Sequence, residues 1–133
     1  MILDTAFLIE LLRDERDAFQ VGVELSEDGI PQRVPSPVLF ELQYGAEIEG
    51  DADERRAIDN IPRLYPVVRM NAHLSRHAAT LIAKADKAAG GAGESGIDDI
   101  DPMIAAVADS VDEPVLTRNV GDFEKLGVDI RSF

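Results

Sequence analysis

Short strand-like runs alternate along this chain with segments of helical period, and that alternation narrows the fold more than any other feature. Met1–Leu3, Gln32–Val34, Tyr65–Met70, Pro114–Leu116 and Val128–Ile130 read as strands. Between the first two, Thr5–Arg13 carries Phe7, Leu8, Leu11 and Leu12 at the spacing of one helical face. Asp14–Leu25 follows as a second helix. Strands alternating with helices predict a parallel sheet with helices on both faces.

Other boundaries follow from local chemistry. Ser26-Glu-Asp-Gly29 is a turn signal. Ser36-Pro37 reads as a helix start, with Ser36 as N-cap and Pro37 at the first helical position. The helix Val38–Ile48 is expected to bury Val38, Leu42, Gly45 and Ala46. In that reading Gly45 permits close helix packing and Tyr44 covers the core edge. Gly50-Asp-Ala-Asp53 breaks the helix, and Glu54–Asn60 restarts it. Asn71 is placed to cap a helix through Lys87. Ala89–Gly96 is the stretch richest in glycine, and reads as either a gate or a linker. Pro102–Ser110 and Val120–Lys125 complete the helices. With 133 residues, no repeats and no long spacer, the expectation is one domain over 1–133.

Composition excludes several classes. There is no cysteine, hence no disulfide, thiolate site or cysteine nucleophile. His73 and His77 share a helical face, but no Glu stands between them as in metalloproteases, so they read as structural or surface groups. No apolar run approaches the ~20 residues of a membrane span. A carboxylate at position 4 stands where a signal peptide would turn basic and apolar, so a cytoplasmic location is expected. The formal charge is −13, with 26 acidic against 13 basic residues. Such a balance opposes general nucleic-acid affinity. It suits a halophilic protein, because at molar salt the screening length is only ~3 Å.

Acids fall where an open α/β sheet gathers ligands, past the carboxyl ends of its strands. Asp4 follows the first strand. Asn119 and Asp122 follow Val115-Leu116 across Thr117-Arg118. Asp101 opens a helix after a loop, and Glu41 sits early in an apolar-faced helix. Two like charges ~4 Å apart repel by ~4 kcal/mol at an effective dielectric of 20, so such a cluster must hold protons or a cation. Oxygen ligands without His or Cys favour Mg2+ or Mn2+ over zinc. A metal-activated water at such a centre is phosphodiester-hydrolysis chemistry.

The residues around these acids carry a resemblance. Met1-Ile-Leu-Asp-Thr-Ala-Phe-Leu-Ile-Glu-Leu-Leu12 resembles the opening of PIN-domain ribonucleases, specifically VapC toxins of bacterial and archaeal toxin–antitoxin pairs. Pro37-Val-Leu-Phe-Glu-Leu-Gln-Tyr-Gly-Ala46, Asp101-Pro-Met-Ile-Ala-Ala-Val-Ala108 and Leu116-Thr-Arg-Asn-Val-Gly-Asp-Phe123 resemble the three later motifs, in family order. The resemblance implies a three-layer α/β/α sandwich with a central parallel sheet. It also implies Mg2+-dependent endoribonuclease activity, homodimers and inhibition by a small antitoxin. Taken with the charge, it points to a haloarchaeal source. Carried over by position, Asp4, Glu41 and Asp101 are the core acids, with Asp4 and Asp101 as direct metal ligands. Glu41 either binds metal through water or orients the nucleophile. Asp122 is read as the fourth acid, with Asn119 standing where many PIN domains have a carboxylate.

Several neighbours remain open at this point. Thr5 and Thr117 either orient carboxylates and contact phosphate, or serve capping and packing. Arg13 and Arg118 either contact phosphate or form surface salt bridges. One of Asp98 and Asp99 is expected to cap the helix at Asp101. The competing functions are a PIN-type nuclease for RNA processing or flap cutting, and an inactive PIN domain that only binds a partner. A phospho-acceptor domain fits poorly, because it requires an acidic pair near the start and a late lysine.

Overall fold

In the computed structural model, which describes residues 1–133, five two-residue strands alternate with seven helices. The strands are β1 (Ile2–Leu3), β2 (Val34–Pro35), β3 (Val67–Val68), β4 (Val115–Leu116) and β5 (Ile130–Arg131). The helices are α1 (Thr5–Leu12), α2 (Arg16–Glu27), α3 (Ser36–Glu49), α4 (Ala52–Leu64), α5 (Ala72–Ala89), α6 (Ile100–Val111) and α7 (Val120–Lys125).

All pairings are parallel, with β1 on β4, β4 on β5 and β2 on β3. A parallel bridge from Ile2 to Arg33 joins the two groups. There the Leu3 N–H donates to the Arg33 carbonyl at 2.9 Å, and the Arg33 N–H to the Met1 carbonyl at 3.0 Å. The order across the sheet is therefore β3-β2-β1-β4-β5, the middle layer of an α/β/α sandwich. The chain winds outward from β1 to β3, then returns past β1 to β4 and β5. Its direction reverses between β1 and β4, the point where open parallel sheets bind ligands.

The core explains why such short strands suffice. Ile2, Leu3, Val115 and Leu116 are fully enclosed, and Phe7, Leu8, Val38, Ile104 and Phe123 close over them. Helix α6 lies across β1, β2 and β4, with α5 packed against it. Residues Ile104–Ala108 of α6 are all buried, so the helix has no wet face along this stretch. Its small alanines let neighbouring backbones approach.

The strand and helix order matches the sequence reading, and the differences are local. Helix α4 is longer than Glu54–Asn60, because Asp51 accepts from the Glu54 N–H at 2.8 Å and starts it two residues earlier. Pro62 lies in its last turns without ending it. Ser36 is not an N-cap: it is already helical, and its hydroxyl accepts from the Met70 N–H at 3.0 Å, tying α3 to the end of β3. Gly45 is not buried, and a Cβ there would touch nothing within 4 Å. Tyr44 likewise points to solvent, stacked on exposed Phe40. The apolar stripe on α3 is wider than the core needs, so Tyr44 and Gly45 fall outside the part that packs inward.

The glycine-rich stretch is organised by one acid. Asp86 of α5 accepts from the Gly93 N–H at 2.9 Å, from the Ser95 N–H at 3.2 Å and from the Ser95 hydroxyl. These bonds favour the ionised form and hold the Asp86 carboxyl below its usual range. Gly93 sits at φ +76°, where a side chain is disfavoured. Asp86→Ala is expected to collapse hydrogen-exchange protection of amides 93 and 95 while leaving α6 protected. Unchanged protection would show that the loop holds its shape without Asp86.

Candidate active site

Four stretches meet at the switch point. Asp4 leaves β1 and caps α1, with Oδ1 accepting from the Phe7 N–H at 3.0 Å. Thr117 leaves β4 directly alongside, since Leu3 is in register with Leu116. Its hydroxyl donates to Asp4 Oδ2 and accepts from the Asn119 N–H at 2.8 Å. Thr117 is completely buried and Asp4 is 4% exposed. Burial raises the Asp4 carboxyl above its ordinary range, against the bonds from Thr117 and Phe7, and the charge of Glu41 raises it further.

Glu41 comes from α3 and accepts from the Thr5 hydroxyl at 2.5 Å. Thr5 therefore orients a carboxylate, and the capping role belongs to Asp4. Asp101 stands in the first turn of α6 and is 9% exposed. Its carboxyl is pushed up to about 7, first by burial, then by the charge of Asp98, with Asp4 and Glu41 adding to the push and the Asn119 hydrogen bond opposing it. Asp98 is the capping acid, accepting from the N–H groups of both Ile100 and Asp101 at 2.9 Å.

Asn119 settles how the two ends of the fourth motif relate. Its Nδ2 donates to Asp101 Oδ2 at 2.7 Å and to Asp122 Oδ2 at 2.9 Å. Two carboxylate acceptors require the amide NH2 to face them, so its carbonyl oxygen faces elsewhere. Asp122 joins the group through Asn119, at 27% side-chain exposure.

Arg118 lies between Thr117 and Asn119 but faces away from the acids. Its guanidinium grips Glu10 with two bonds, 2.7 and 2.8 Å, and stacks 4.3 Å from the centre of the Phe133 ring. Of the two readings open for Arg118, the salt bridge is the one formed. His77 pairs with Asp109 at 2.5 Å, beside the stacked ring of His73, as a surface contact between α5 and α6.

The acids are near neighbours without forming a tight cage. No three His, Asp or Glu side chains converge closely enough to enclose an ion by themselves. This revises the expectation of four converging carboxylates. Each acid instead rests on its own neutral donor: Thr117 for Asp4, Thr5 for Glu41, Asn119 for Asp101. The donor set still fits a hard divalent ion. All the acceptors are oxygens, and no cationic side chain contributes to the shifts of Asp4 or Asp101. Mg2+ commonly keeps several waters and takes only one or two carboxylates, so it does not need a closed cage.

Buried acids at the switch point of a parallel sheet define an acid-centred α/β protein. The PIN domain profile matches residues 1–128, and the chain belongs to the PIN-domain family. Solved structures share its fold. VapBC2 from Rickettsia felis, bound to a promoter DNA fragment, superposes with a TM-score of 0.81 at 19% identity, covering 99% of this chain and 97% of that one. DNA-bound VapBC from Salmonella typhimurium gives 0.77 at 21%, covering 98% and 96%. VapBC-1 from nontypeable Haemophilus influenzae gives 0.77 at 23%, again covering 98% and 96%. No curated protein matches the sequence.

Proposed function

We propose that this PIN domain is a Mg2+-dependent endoribonuclease and the toxin of a type II toxin–antitoxin pair. The observation that carries the reading is the pair of buried acids, Asp4 and Asp101, both driven toward protonation with no basic side chain to offset them. Leaving acids in that state costs stability, and a divalent cation relieves it. Asp4 and Asp101 would hold the ion, with Glu41 acting through water. A bound Mg2+ lowers the pKa of its water and offsets charge on the scissile phosphate. The chain's own part is to fix the carboxylates: Thr117 orients Asp4, Thr5 orients Glu41, and Asn119 links Asp101 to Asp122.

Likeness to VapBC assemblies supports a small protein partner, and so does the surface. A groove of about 580 Å3 between α2 and the end of α4 is lined by Leu11, Phe19, Val23, Leu64, Tyr65 and Pro66. Phe19 and Leu64 are exposed there, and we assign this groove to a cognate antitoxin. The exposed Phe40, Tyr44 and Ile48 on α3 support association with a second copy. No helix is long and apolar enough to cross a membrane. The charge of −13 supports a cytoplasm of high salt.

Purified protein should cleave a fluorogenic RNA with Mg2+ or Mn2+, lose that activity in EDTA and regain it on adding back metal. Cleavage that persists in EDTA, or its absence at every salt concentration where the protein is folded, would refute the reading.

A further inference from the structure

The proposed chemistry leaves one problem unsolved. RNA is a polyanion, and the site that would cut it is surrounded by acids in a chain of net charge −13. Some cation must draw the backbone in, and the neighbouring arginine is committed elsewhere, since Arg118 is bound to Glu10. Arg33, Arg56 and Arg131 are likewise paired with Glu113, Asp53 and Glu24.

Lys125 is the basic residue whose head group reaches an acid of the site. Its ammonium lies 4.0 Å from Asp122 Oδ1 and 3.4 Å from the Ser95 carbonyl oxygen. The path inward is continuous, because Asn119 joins Asp122 to Asp101. Ser95 belongs to the loop that leads into α6, so the ammonium spans the gap between that loop and α7, on the rim of the acids. Both contacts are long beside the 2.7–2.9 Å of a charge-assisted hydrogen bond. An ammonium has three donors, and this one is 56% exposed. A phosphate oxygen can therefore take it without breaking a strong pair.

We infer that Lys125 binds a backbone phosphate of the RNA next to the scissile bond, as a substrate-binding residue. The inference rests on the nuclease reading for its substrate, and binding tests it separately from cleavage. The probe is a short fluorescein-labelled single-stranded RNA, followed by anisotropy across a salt series with Ca2+ in the buffer.

Lys125→Ala should weaken binding about three- to fivefold, the size of one exposed charge pair. It should also flatten the plot of log affinity against log salt by ~0.7, the value for one phosphate contact on a single strand. Lys125→Arg should restore both. In cleavage, the loss should fall in KM more than in kcat. Lys84→Ala, which removes the same charge from an exposed position on α5, should leave the slope unchanged.

If the parent cuts RNA and Lys125→Ala keeps the parental affinity and slope, Lys125 serves only to neutralise Asp122 and the inference is overturned while the nuclease reading stands. Binding that depends on Lys125 without any cleavage by the parent would sink the nuclease reading and keep the contact. A parent that neither binds nor cuts RNA would sink both.

Discussion

Asp101→Asn should destroy metal-dependent cleavage and, at the same time, make the metal-free protein more stable above neutral pH. The activity loss should be on the order of 10^3-fold in kcat/KM, because a metal ligand at the reacting centre contributes several kcal/mol. The stability gain follows from where Asp101 holds its proton. Unfolded, the carboxyl ionises near its ordinary 3.8; folded, near about 7. Between those values the native state keeps a proton that the unfolded chain has lost, so stability falls as pH rises from about 4 to about 7 and is level beyond. Asparagine removes that loss. It also keeps an oxygen to accept from Asn119 Nδ2, so the packing need not change. Discounted for the water that reaches this edge of the site, the gain near pH 8 is about 1–2 kcal/mol. Below about pH 4, where both folded and unfolded states hold the proton, parent and variant should melt together. On the Mg2+ proposal, adding the ion should raise the parent's Tm and leave the variant's unmoved, since the variant lacks a proposed ligand. Cleavage by the variant at the parental rate would remove Asp101 from the site. A Tm below the parent's at both pH values would show that its carboxylate is not under strain.

The same residue shows how far the sequence could be read. Asp101 was legible because an acid at the start of an apolar Ile-Ala-Ala helix has few places to go except the sheet edge, and Asp4 was legible for the parallel reason at β1. The alternation of strands and helices set the parallel sheet, since hydrophobic period is a local property. What could not be read was what each polar side chain chooses among several partners. Ser36 looked like a cap and instead reaches Met70, 34 residues away. For Arg118 the sequence leaves phosphate contact and salt bridge equally open, and the choice is made by Glu10, 108 residues away. Tyr44 and Gly45 lie on an apolar stripe broader than the core it meets, and spacing alone does not show where burial stops. Lys125 carried only the signal of standing three residues after Asp122, a spacing that also describes many surface pairs. The spacing of the acids is not legible either, because strand-end placement fixes the neighbourhood of a carboxylate but not its distance from the next one.

Thr117→Val should be the most damaging change that leaves every proposed metal ligand in place. Valine has nearly the same shape, so what is lost is the hydroxyl alone, and that hydroxyl has two duties at a fully buried position. It donates to Asp4 Oδ2, and it accepts from the Asn119 N–H at 2.8 Å. Removing it leaves a buried carboxylate oxygen short of a donor and an amide short of an acceptor, each costing about 1–3 kcal/mol. The bond from Thr117 is also the largest influence holding the Asp4 carboxyl down against burial. Without it Asp4 is pushed up further, which shifts the balance away from the ionised, metal-binding carboxylate. Three consequences follow together. Cleavage at neutral pH and limiting Mg2+ should fall about 10- to 100-fold, the usual size for loss of a group that orients a metal ligand. Raising the Mg2+ concentration or the pH should recover part of that loss, because both favour the ionised, metal-bound carboxylate. Thr117→Ser, which keeps the hydroxyl, should retain most of the activity. Titrating Mg2+ near pH 6.5 and near pH 8.5 for parent, valine and serine forms separates these effects. A valine variant with the parental metal requirement at both pH values would show that Thr117 merely packs against β1, and that Asp4 is held by the Phe7 amide alone.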